Sequence, residues 1–429
     1  AALAPGRFAG GAADAAVALA APPASLLPRI WLAKDVRKAV LKDRHPWLFD
    51  RCFRGGAEAA LGGVVGVAWK KKTLALGIYD PESPLRVRLL TWDIYRMPDN
   101  AWARSIAEEA AARRSSDVRL SNCSGLRLLH GEGDWTPGLV LDAYAGLGVA
   151  AFDGAACEAF WQPKLATIVG AFAAAGFALR QVIRKGGGEV LWEEAPSVGA
   201  EAEAAEPLIF EENGVRFEVD VRRGMKTGFF LDQRENRRRL RSLSAGKEVL
   251  DLFSYTGGFA VSAALGGAQR TVTVDQAAAA VRACHRNFEL NGLHAQIVEE
   301  PPLGSASPPA ASPPPAASAL GAHRLHVGDC WDFLRDAASR GEQFDIVVND
   351  PPSMAPSQRS RENALRSYIR LNEGAMAVLR PGGLLLTCSC SSHITKRDLC
   401  AAVEEAGRRA GCQIVIESTE RAATDHPVR

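Results

Sequence analysis

The sequence EVLDLFSYTGGFAVSAALGGAQRTVTVD, residues 248–275, contains two predicted strands with a helix between them. Its first part, EVLDLF, has the length and apolar character of a short buried strand, and the glycine pair of SYTGG leads into an alanine-rich helical segment. TVTVD then has the β-branched composition of a second strand. A strand, a glycine-rich turn, a helix and a strand in this order predict the first unit of a parallel α/β sheet.

The same alternation continues toward the C-terminus. We predict further strands at RLHVGD (324–329), FDIVVND (344–350), GLLLTCSC (383–390) and CQIVIES (412–418). Helices are predicted at QAAAAVRACHRNFELNG (276–292), around LRSYIRLNEGAMAVL (365–379) and from residue 395. The fold class that follows is a doubly wound, Rossmann-like α/β domain.

Ahead of this domain the pattern of predicted elements is different. Short β-like runs are separated by turn residues, and only two helical stretches interrupt them. We predict an extension over 1–28, a small β-rich domain over 29–95, an α+β middle domain over 96–215 that ends in an acidic linker, and the α/β domain over 216–429. A proline-rich insertion interrupts the last domain at 299–322. For the extension, a targeting segment and a disordered Ala-rich tail both stay open.

Bulk composition excludes several classes of protein. The chain of 429 residues has a net charge of only +2, so nucleic acid would have to bind a local basic patch. No run reaches the roughly 18 apolar residues that a membrane span needs, which predicts a soluble protein. The nine cysteines show no zinc-type spacing, which predicts no metal and a reducing, intracellular compartment. Cytoplasm, chloroplast and mitochondrion all remain open.

Four features at predicted strand ends indicate a nucleoside cofactor, because ligands of such sheets bind beyond the carboxyl ends of the strands. They are DLFSYTGG (251–258), Asp275, GDCWDF (328–333) and NDPP (349–352). An acid that closes the second strand can accept hydrogen bonds from a ribose diol. Neither the GxGxxG fingerprint nor a GxxxxGK[ST] loop is present, so S-adenosyl-L-methionine is favoured over NAD and ATP.

Five motifs resemble the PUA-containing ribosomal RNA cytosine-5 methyltransferases that act on bacterial large-subunit rRNA. They are GMKTGFFLDQRENRRRL (224–240), VLDLFSYTGGFAVSAALGGA (249–268), VVNDPPS (347–353), LRPGGLLLTCSCSS (379–392) and DHP (425–427). The segment 36–50 looks like the start of that family's PUA domain, and 135–146 looks like its middle domain. The resemblance implies a class I methyltransferase domain behind a PUA-like domain and a small α+β domain.

The resemblance also implies site residues. The implied cofactor-binding set is Asp251, Phe253, Ser254, Tyr255, Thr256, Gly257, Gly258, Asp275, Asp329, Cys330 and Asp350. Asp350 and one cysteine of TCSCS are the implied catalytic pair. The family continues past DHP into a final strand beside GLLLTCSC, whereas this sequence stops at Arg429, so we expect that strand to have an exposed edge.

Two cysteines, Cys388 and Cys390, compete for the catalytic role. Cytosine-5 methylation needs a thiolate that adds to carbon 6. On one strand, residues i and i+2 share a face, but Cys390 lies about 6.6 Å nearer the carboxyl end, where the ligand crevice opens. The family's cysteine aligns with Cys390. We therefore predict that Cys390 is the nucleophile and that Cys388 is a buried, inert thiol.

RNA contact is predicted for the basic segment 222–241, with Lys226, Arg234, Arg237 and Arg238 on a phosphate track. Phe229 and Phe230 are candidate stacking surfaces, and the alternative is that they belong to the core.

The leading hypothesis is an S-adenosylmethionine-dependent rRNA (cytosine-C5) methyltransferase. Two alternatives stay open: a base-amine RNA methyltransferase that uses the DPP motif and needs no thiolate, and a non-catalytic RNA-binding or ribosome-assembly factor. The expected partner is large-subunit rRNA, and a homodimer is also open.

Overall fold

The computed structural model describes residues 26–33, 36–56, 59–194, 208–299, 323–355 and 357–428. Most of the predicted extension, most of the acidic linker and nearly all of the insertion 299–322 lie outside the described residues. The chain divides into two compact units, residues 1–105 with 153–167, and residues 106–152 with 168–429. The predicted domain boundaries stay predictions.

The first unit is built on a six-stranded sheet. Its elements are β1 (Arg29–Leu32), α1 (Arg37–Leu41), β2 (Trp47–Leu48), β3 (Phe53–Gly56), β4 (Val64–Trp69), β5 (Lys72–Tyr79) and β6 (Val87–Thr91). The strand order is β2-β6-β5-β4-β1-β3. Apolar side chains such as Leu32, Val65, Val67 and Leu89 are buried together, because valine- and leucine-rich strands bury their faces against one another. α2 (Asn100–Ser115) follows the sheet and runs from this unit into the second.

A second sheet opens the larger unit. Its strands in chain order are β7 (Gly125–His130), β8 (Leu139–Tyr144), β9 (Leu147–Phe152), β10 (Gln181–Arg184) and β11 (Val190–Glu193). Between β9 and β10 the chain forms α3 (Ala155–Trp161), which belongs to the first unit, and α4 (Leu165–Ala174). The sheet order is β11-β10-β9-β8-β7, and a hairpin of β12 (Leu208–Glu212) and β13 (Val215–Val219) follows it.

The rest of the larger unit is the predicted α/β domain. Its elements are α5 (Arg234–Leu243), β14 (Glu248–Leu252), α6 (Gly258–Leu265), β15 (Arg270–Asp275), α7 (Ala278–Leu290), β16 (Ala295–Glu299), β17 (His323–Val327), α8 (Cys330–Ser339), β18 (Phe344–Asn349), α9 (Arg361–Ala377), β19 (Leu379–Thr387) and α10 (Lys396–Arg409). All six strands run parallel, in the order β16-β17-β15-β14-β18-β19. The predicted α/β fold is therefore confirmed.

The strand order reverses at β14, which pairs with β15 on one side and with β18 on the other. Chain connections from β14 and β18 leave the sheet in opposite directions, which opens a crevice at their carboxyl ends. This is the switch point at which a doubly wound sheet binds its ligand. The turn after β14 and the residues after β18 therefore define the candidate site.

Two predictions about this sheet were wrong in detail. A sixth strand, β16, precedes the insertion, and the sequence analysis missed it. Residues 412–418 form no strand, and Val415 is 85% exposed, although the composition is β-like. Among the described residues β19 is an edge strand that pairs only with β18, so residues 412–418 extend no sheet.

No helix among the described residues is long and apolar enough to cross a membrane. Within the same residues, no cluster of three or more His, Cys, Asp or Glu side chains could hold a metal ion.

Candidate functional site

The turn after β14 has a tightly constrained backbone. Phe253 and Tyr255 both have left-handed conformations, with φ of 57° and 49°, and Gly257 follows with φ of 77°. Left-handed conformations of residues other than glycine cost about 1–3 kcal/mol and concentrate at ligand sites. Neighbouring contacts hold the turn, because Ser254 N donates to Val274 O over 3.2 Å and Gly257 N donates to Ser254 O over 2.8 Å.

Gly257 is required by packing as well as by conformation. A Cβ atom at this position would lie 2.2 Å from the Sγ of Cys284 on α7. The absent side chain lets the start of α6 sit close to the second helix and leaves the backbone at the helix N-terminus accessible to a ligand. Asp251 lies beneath this helix start, where its Oδ2 accepts a hydrogen bond from Ala260 N over 3.0 Å.

Polar atoms around the turn are left without partners in a way that suits a nucleoside cofactor. The Ser254 and Thr256 hydroxyls and Asp251 Oδ1 are shielded from solvent and have no hydrogen-bond partner among the described residues. Asp275 ends β15, and its two oxygens accept from Tyr255 N and Ala277 N over 2.8 Å each. Each carboxylate oxygen keeps a second lone pair for a hydroxyl group. The residues present thus fit the adenosyl and ribose part of S-adenosylmethionine.

Asp329 and Cys330 lie at the end of the next strand, β17. Asp329 caps α8, with its Oδ1 accepting from Trp331 N over 2.8 Å and from Asp332 N over 3.2 Å. Cys330 is buried, and its Sγ accepts from Phe253 N over 3.3 Å. Cys330 therefore supports the turn from beneath, while Asp329 stays exposed at the crevice.

Asp350 follows β18 and faces the same crevice from the other side of the switch point. Its Oδ2 accepts a hydrogen bond from Gln233 Nε2 over 3.0 Å. The Gln233 amide cannot turn around freely, because its Oε1 accepts from Asn236 Nδ2 over 2.6 Å. Loss of solvation, reinforced by the negative charge of Asp232, raises the pKa of Asp350 to about 6. A carboxyl group with this pKa can hold and donate a proton near neutral pH.

Cys388 and Cys390 lie beyond the strand, not on it, since β19 ends at Thr387. Cys390 is exposed, and its Sγ lies 3.9 Å from Pro351 O. Cys388 is half-buried, with its Sγ 4.0 Å from Gln233 Oε1. Burial raises the pKa of the Cys388 thiol well above its ordinary value, and burial and the Asp350 charge raise that of Cys390. Cys388 is thus less exposed than Cys390, but neither residue lies on the strand from which the difference in depth was predicted, and Cys388 is not fully buried.

Two serines hold the segment that carries Cys390. Ser389 Oγ accepts from the Tyr368 hydroxyl over 2.9 Å. Ser391 Oγ accepts from Met354 N over 3.1 Å and from Ala355 N over 3.2 Å. Because both neighbours are held by α9 and by the residues after the DPP motif, the backbone that carries Cys390 is positioned beside that loop.

Lys226 and Asp232 form the wall of the crevice next to Asp350. Lys226 Nζ bonds Asp232 Oδ2 over 2.9 Å and stands 4.4 Å over the ring of Phe230. Phe230 packs edge-on against Tyr255, with ring centroids 5.4 Å apart. This chain of contacts connects the cofactor turn to the carboxylates of the site.

The prediction that Arg234 and Arg237 contact RNA was wrong. Arg234 is fully buried and forms an ion pair with Asp425 over 2.9 Å. Arg237 is buried in a two-pronged pair with Glu212, in which both N–O distances are 2.6 Å. Both charges are neutralised inside the protein and are not available to phosphates. Arg238 differs, because its side chain is 57% exposed beside Glu235.

Of the two candidate stacking residues, Phe229 is buried in the core between Phe210 and Phe217, and Phe230 is half-buried. Sequence reasoning also missed Gln233 and Asp232, although both lie in the motif FLDQRENR (230–237). A signal for the buried arginines was available, since Arg234, Arg237 and Leu240 are spaced three apart and share one face of α5.

Comparisons with known proteins identify the domains of this chain. A model of S-adenosylmethionine-dependent methyltransferases matches residues 191–299, and a PUA-like domain model matches residues 31–92. A ribosomal RNA large subunit methyltransferase of Deinococcus radiodurans is 36% identical over 420 residues, covering 94% of this chain and 95% of the relative. Ribosomal RNA large subunit methyltransferase I of Klebsiella pneumoniae is 32% identical over 408 residues, with coverage of 94% and 95%.

Solved structures share the fold. A candidate S-adenosylmethionine-dependent methyltransferase from Streptococcus mutans has a TM-score of 0.72 at 22% identity, with 93% of this chain and 95% of that chain covered. A methyltransferase solved with S-adenosylhomocysteine also has a TM-score of 0.72, with coverage of 94% and 95%. The family model confirms the predicted cofactor, and this chain is an S-adenosylmethionine-dependent methyltransferase. With a PUA-like domain ahead of its methyltransferase domain, it belongs to the ribosomal RNA large-subunit methyltransferase family.

Proposed function

We propose that this protein methylates carbon 5 of a cytosine in large-subunit ribosomal RNA, with Cys390 as the nucleophile. The observation that carries the proposal is the position of an exposed thiol 3.9 Å from the DPP loop, next to a carboxyl group whose pKa is near neutral. The RNA substrate follows from the relatives, which are named as large-subunit rRNA methyltransferases.

Carbon 5 of cytosine is a poor nucleophile, and this determines what the protein must supply. A thiolate that adds to carbon 6 turns carbon 5 into an enamine carbon, which is reactive enough to take a methyl group. A proton on N3 makes this addition easier, because the negative charge is then not left on the ring. S-adenosylmethionine, when bound, supplies an electrophilic methyl group on a sulfonium sulfur.

Cys390 and Asp350 suit these two roles as a coupled pair. The negative charge of Asp350 is one of the causes that raise the pKa of Cys390. When a cytosine docks with its N3 and amine against Asp350, the charge of the carboxyl group is neutralised or screened. That charge then no longer raises the pKa of Cys390. Docking of the correct base therefore favours the thiolate at the moment it is needed. Gln233 keeps the Asp350 carboxyl oriented throughout.

The test uses intact-protein mass spectrometry after incubation with S-adenosylmethionine and rRNA containing 5-fluorocytidine, since fluorine cannot leave carbon 5 as a proton does. We expect a stable RNA adduct that maps to Cys390. Binding of cofactor and RNA without any adduct would reject the cytosine-5 mechanism, and methyl transfer to RNA in that case would indicate a base-amine methyltransferase. If no methyl group is transferred at all, the remaining hypothesis is a non-catalytic RNA-binding factor.

Asp350→Asn is expected to slow adduct formation on 5-fluorocytidine RNA by about 100-fold or more, because an amide cannot donate a proton to N3 as an acid does. The rate of adduct formation, measured by quenched time points on denaturing gels, checks this. Asp336→Asn is the control, because Asp336 is an exposed carboxylate on α8 that belongs neither to the cofactor-binding set nor to the proposed catalytic pair. An Asn variant with the wild-type rate would remove Asp350 from the proposed chemistry.

Lys226 and Arg238 remain the proposed RNA contacts of the basic segment. Arg238→Gln is expected to weaken RNA binding several-fold at low salt and to reduce the slope of log K against log salt by about 1, as for one lost phosphate contact. Filter binding over a salt series measures this. Arg408→Gln is a matched control, because Arg408 pairs with Glu405 at the same i,i+3 spacing on a helix of the same unit. Equal slopes for the two variants would remove Arg238 from the RNA surface.

A further inference from the structure

Cytosine-5 methylation through a thiol adduct needs a base that the catalytic pair does not supply. Once carbon 5 carries the methyl group, its original hydrogen must leave as a proton before the sulfur can leave carbon 6. Asp350 is engaged with Gln233 at the position proposed for N3 and the amine. Another group near Cys390 has to accept the proton.

We propose that Asp232 is this proton acceptor, which makes it a third catalytic residue; the inference rests on the proposed cytosine-5 function. Its position carries the argument. Asp232 lies in the short 3-10 turn Leu231–Gln233. The residue after it, Gln233, contacts both Asp350 and Cys388. The negative charge of Asp232 reaches Asp350 and Cys390, since it contributes to the raised pKa of each.

The Asp232 carboxylate has unused capacity to take a proton. Its Oδ1 is shielded from solvent without a hydrogen-bond donor among the described residues, and its Oδ2 accepts only the Lys226 ammonium, over 2.9 Å. The side chain is 24% exposed, and because Oδ1 is shielded, the proton of a docked base would go to the second lone pair of Oδ2. Burial by itself raises the pKa of Asp232, but the Lys226 charge outweighs it, and the net pKa lies below its ordinary value. The group is therefore ionised at neutral pH, as an acceptor must be.

The neighbouring titratable groups are less suitable. Asp251 lies beneath α6, and Asp275 accepts from two backbone amides. His426 is buried behind Asp232, where its Nδ1 is 2.9 Å from Asp425 Oδ1. The Tyr368 hydroxyl donates to Ser389. Asp232 is held in place on the backbone side as well, because its carbonyl oxygen accepts from Ala423 N over 2.8 Å.

The step balances as a β-elimination. The C5–H bond breaks, and its proton moves to the carboxylate of Asp232. The electron pair of that bond becomes the C5=C6 double bond, while the C6–S bond breaks and its electron pair leaves with the Cys390 sulfur as a thiolate. The protonated Asp232 then loses its proton to solvent, and the Lys226 ammonium restores the charged pair.

The decisive variant is Asp232→Asn, tested on rRNA with natural cytidine and S-adenosylmethionine carrying a labelled methyl group. If Asp232 takes the proton, the methylated adduct forms but cannot be released. We expect an SDS-stable protein–RNA complex that carries the label, at least about tenfold more abundant than with the wild-type protein, while release of methylated RNA falls about 100-fold or more. Glu235→Gln, a neighbouring carboxylate on α5, is the control and should release product like the wild type.

Two results would overturn the assignment. One is wild-type release by Asp232→Asn. The other is a folded variant that binds cofactor but forms no adduct on natural or 5-fluorocytidine RNA, which indicates a structural role.

If Asp232→Asn does not fold, Asp232→Glu is tested instead, on RNA with cytidine deuterated at carbon 5. A longer carboxylate should make proton removal slower and raise the isotope effect above the wild-type value. An unchanged isotope effect rejects the proposal. A wild-type protein that forms no 5-fluorocytidine adduct would reject the cytosine-5 function itself.

Discussion

Cys390→Ala is expected to reduce RNA methylation by more than about 1,000-fold, whereas Cys388→Ala keeps the greater part of it. Alanine at 390 removes the only group proposed to add to carbon 6, so no later step can occur. Alanine at 388 removes a sulfur that lies behind Gln233 and costs packing, on the order of 1 kcal/mol of stability. Transfer of labelled methyl groups to rRNA, measured under single-turnover conditions, checks both rates.

The pair of variants is its own matched control, because the two substitutions are chemically identical and two residues apart. Both proteins should bind S-adenosylmethionine and have nearly the same melting temperature. Loss of activity in Cys388→Ala with retention in Cys390→Ala would exchange the two roles. Retention in both would instead favour methyl transfer to a base amine, for which Asp350 alone would suffice.

The largest expected effect on stability comes from Asp425→Asn, with a loss of about 3–5 kcal/mol in the free energy of unfolding. Asp425 is buried and pairs with the fully buried Arg234 over 2.9 Å, and its Oδ2 accepts from Arg127 N over 2.9 Å. An uncharged amide leaves the Arg234 charge without one of its buried partners. Urea denaturation at pH 7 measures the loss. Glu405→Gln, in an exposed pair with Arg408, should change little.

The same residue predicts how stability depends on pH. Burial alone raises the pKa of Asp425, but Arg234 and His426 outweigh it, and the net pKa is far below its ordinary value. The stabilisation is therefore fully present above the unfolded-state pKa of about 4 and is lost as the pH falls below it. Wild-type stability should fall more steeply below pH about 4 than that of Asp425→Asn. Parallel curves for the two proteins would show that Asp425 does not carry this dependence.

The parallel sheet could be predicted from the sequence because its determinants are local. β14, β15 and β18 each combine β-branched or leucine residues with a turn signal, and helix α10 begins at the capping pair Thr395 and Asp398. The cofactor turn was found for the same reason, since its glycines and polar residues are contiguous in the chain.

The failures have nonlocal causes. Arg234 and Arg237 look like a solvated basic run until their partners are known, and those partners, Asp425 and Glu212, come from distant parts of the chain. The end of β19 is set by its neighbour, because Thr387 pairs with Asn349, the last residue of β18. Beyond this pair, Cys388 N still donates to Asn349 O over 2.9 Å. Residues 412–418 have β-like composition, but among the described residues they pair with no strand, although β19 keeps an unpaired edge.

The Asp425 contacts have a consequence for how the protein is made. Asp425 accepts from the backbone of Arg127, 298 positions earlier, and its carbonyl accepts from Arg114, 311 positions earlier. Synthesis at roughly 5–20 residues per second gives the early strands many seconds in which this carboxylate does not yet exist. Almost 200 further residues are likewise synthesised after Arg234 before Asp425 is available to neutralise its charge. A nascent chain can therefore fold the six-stranded sheet of its first unit during translation. The contacts of Asp425 with Arg127 and Arg234 form only after the segment around Asp425 has left the ribosomal tunnel.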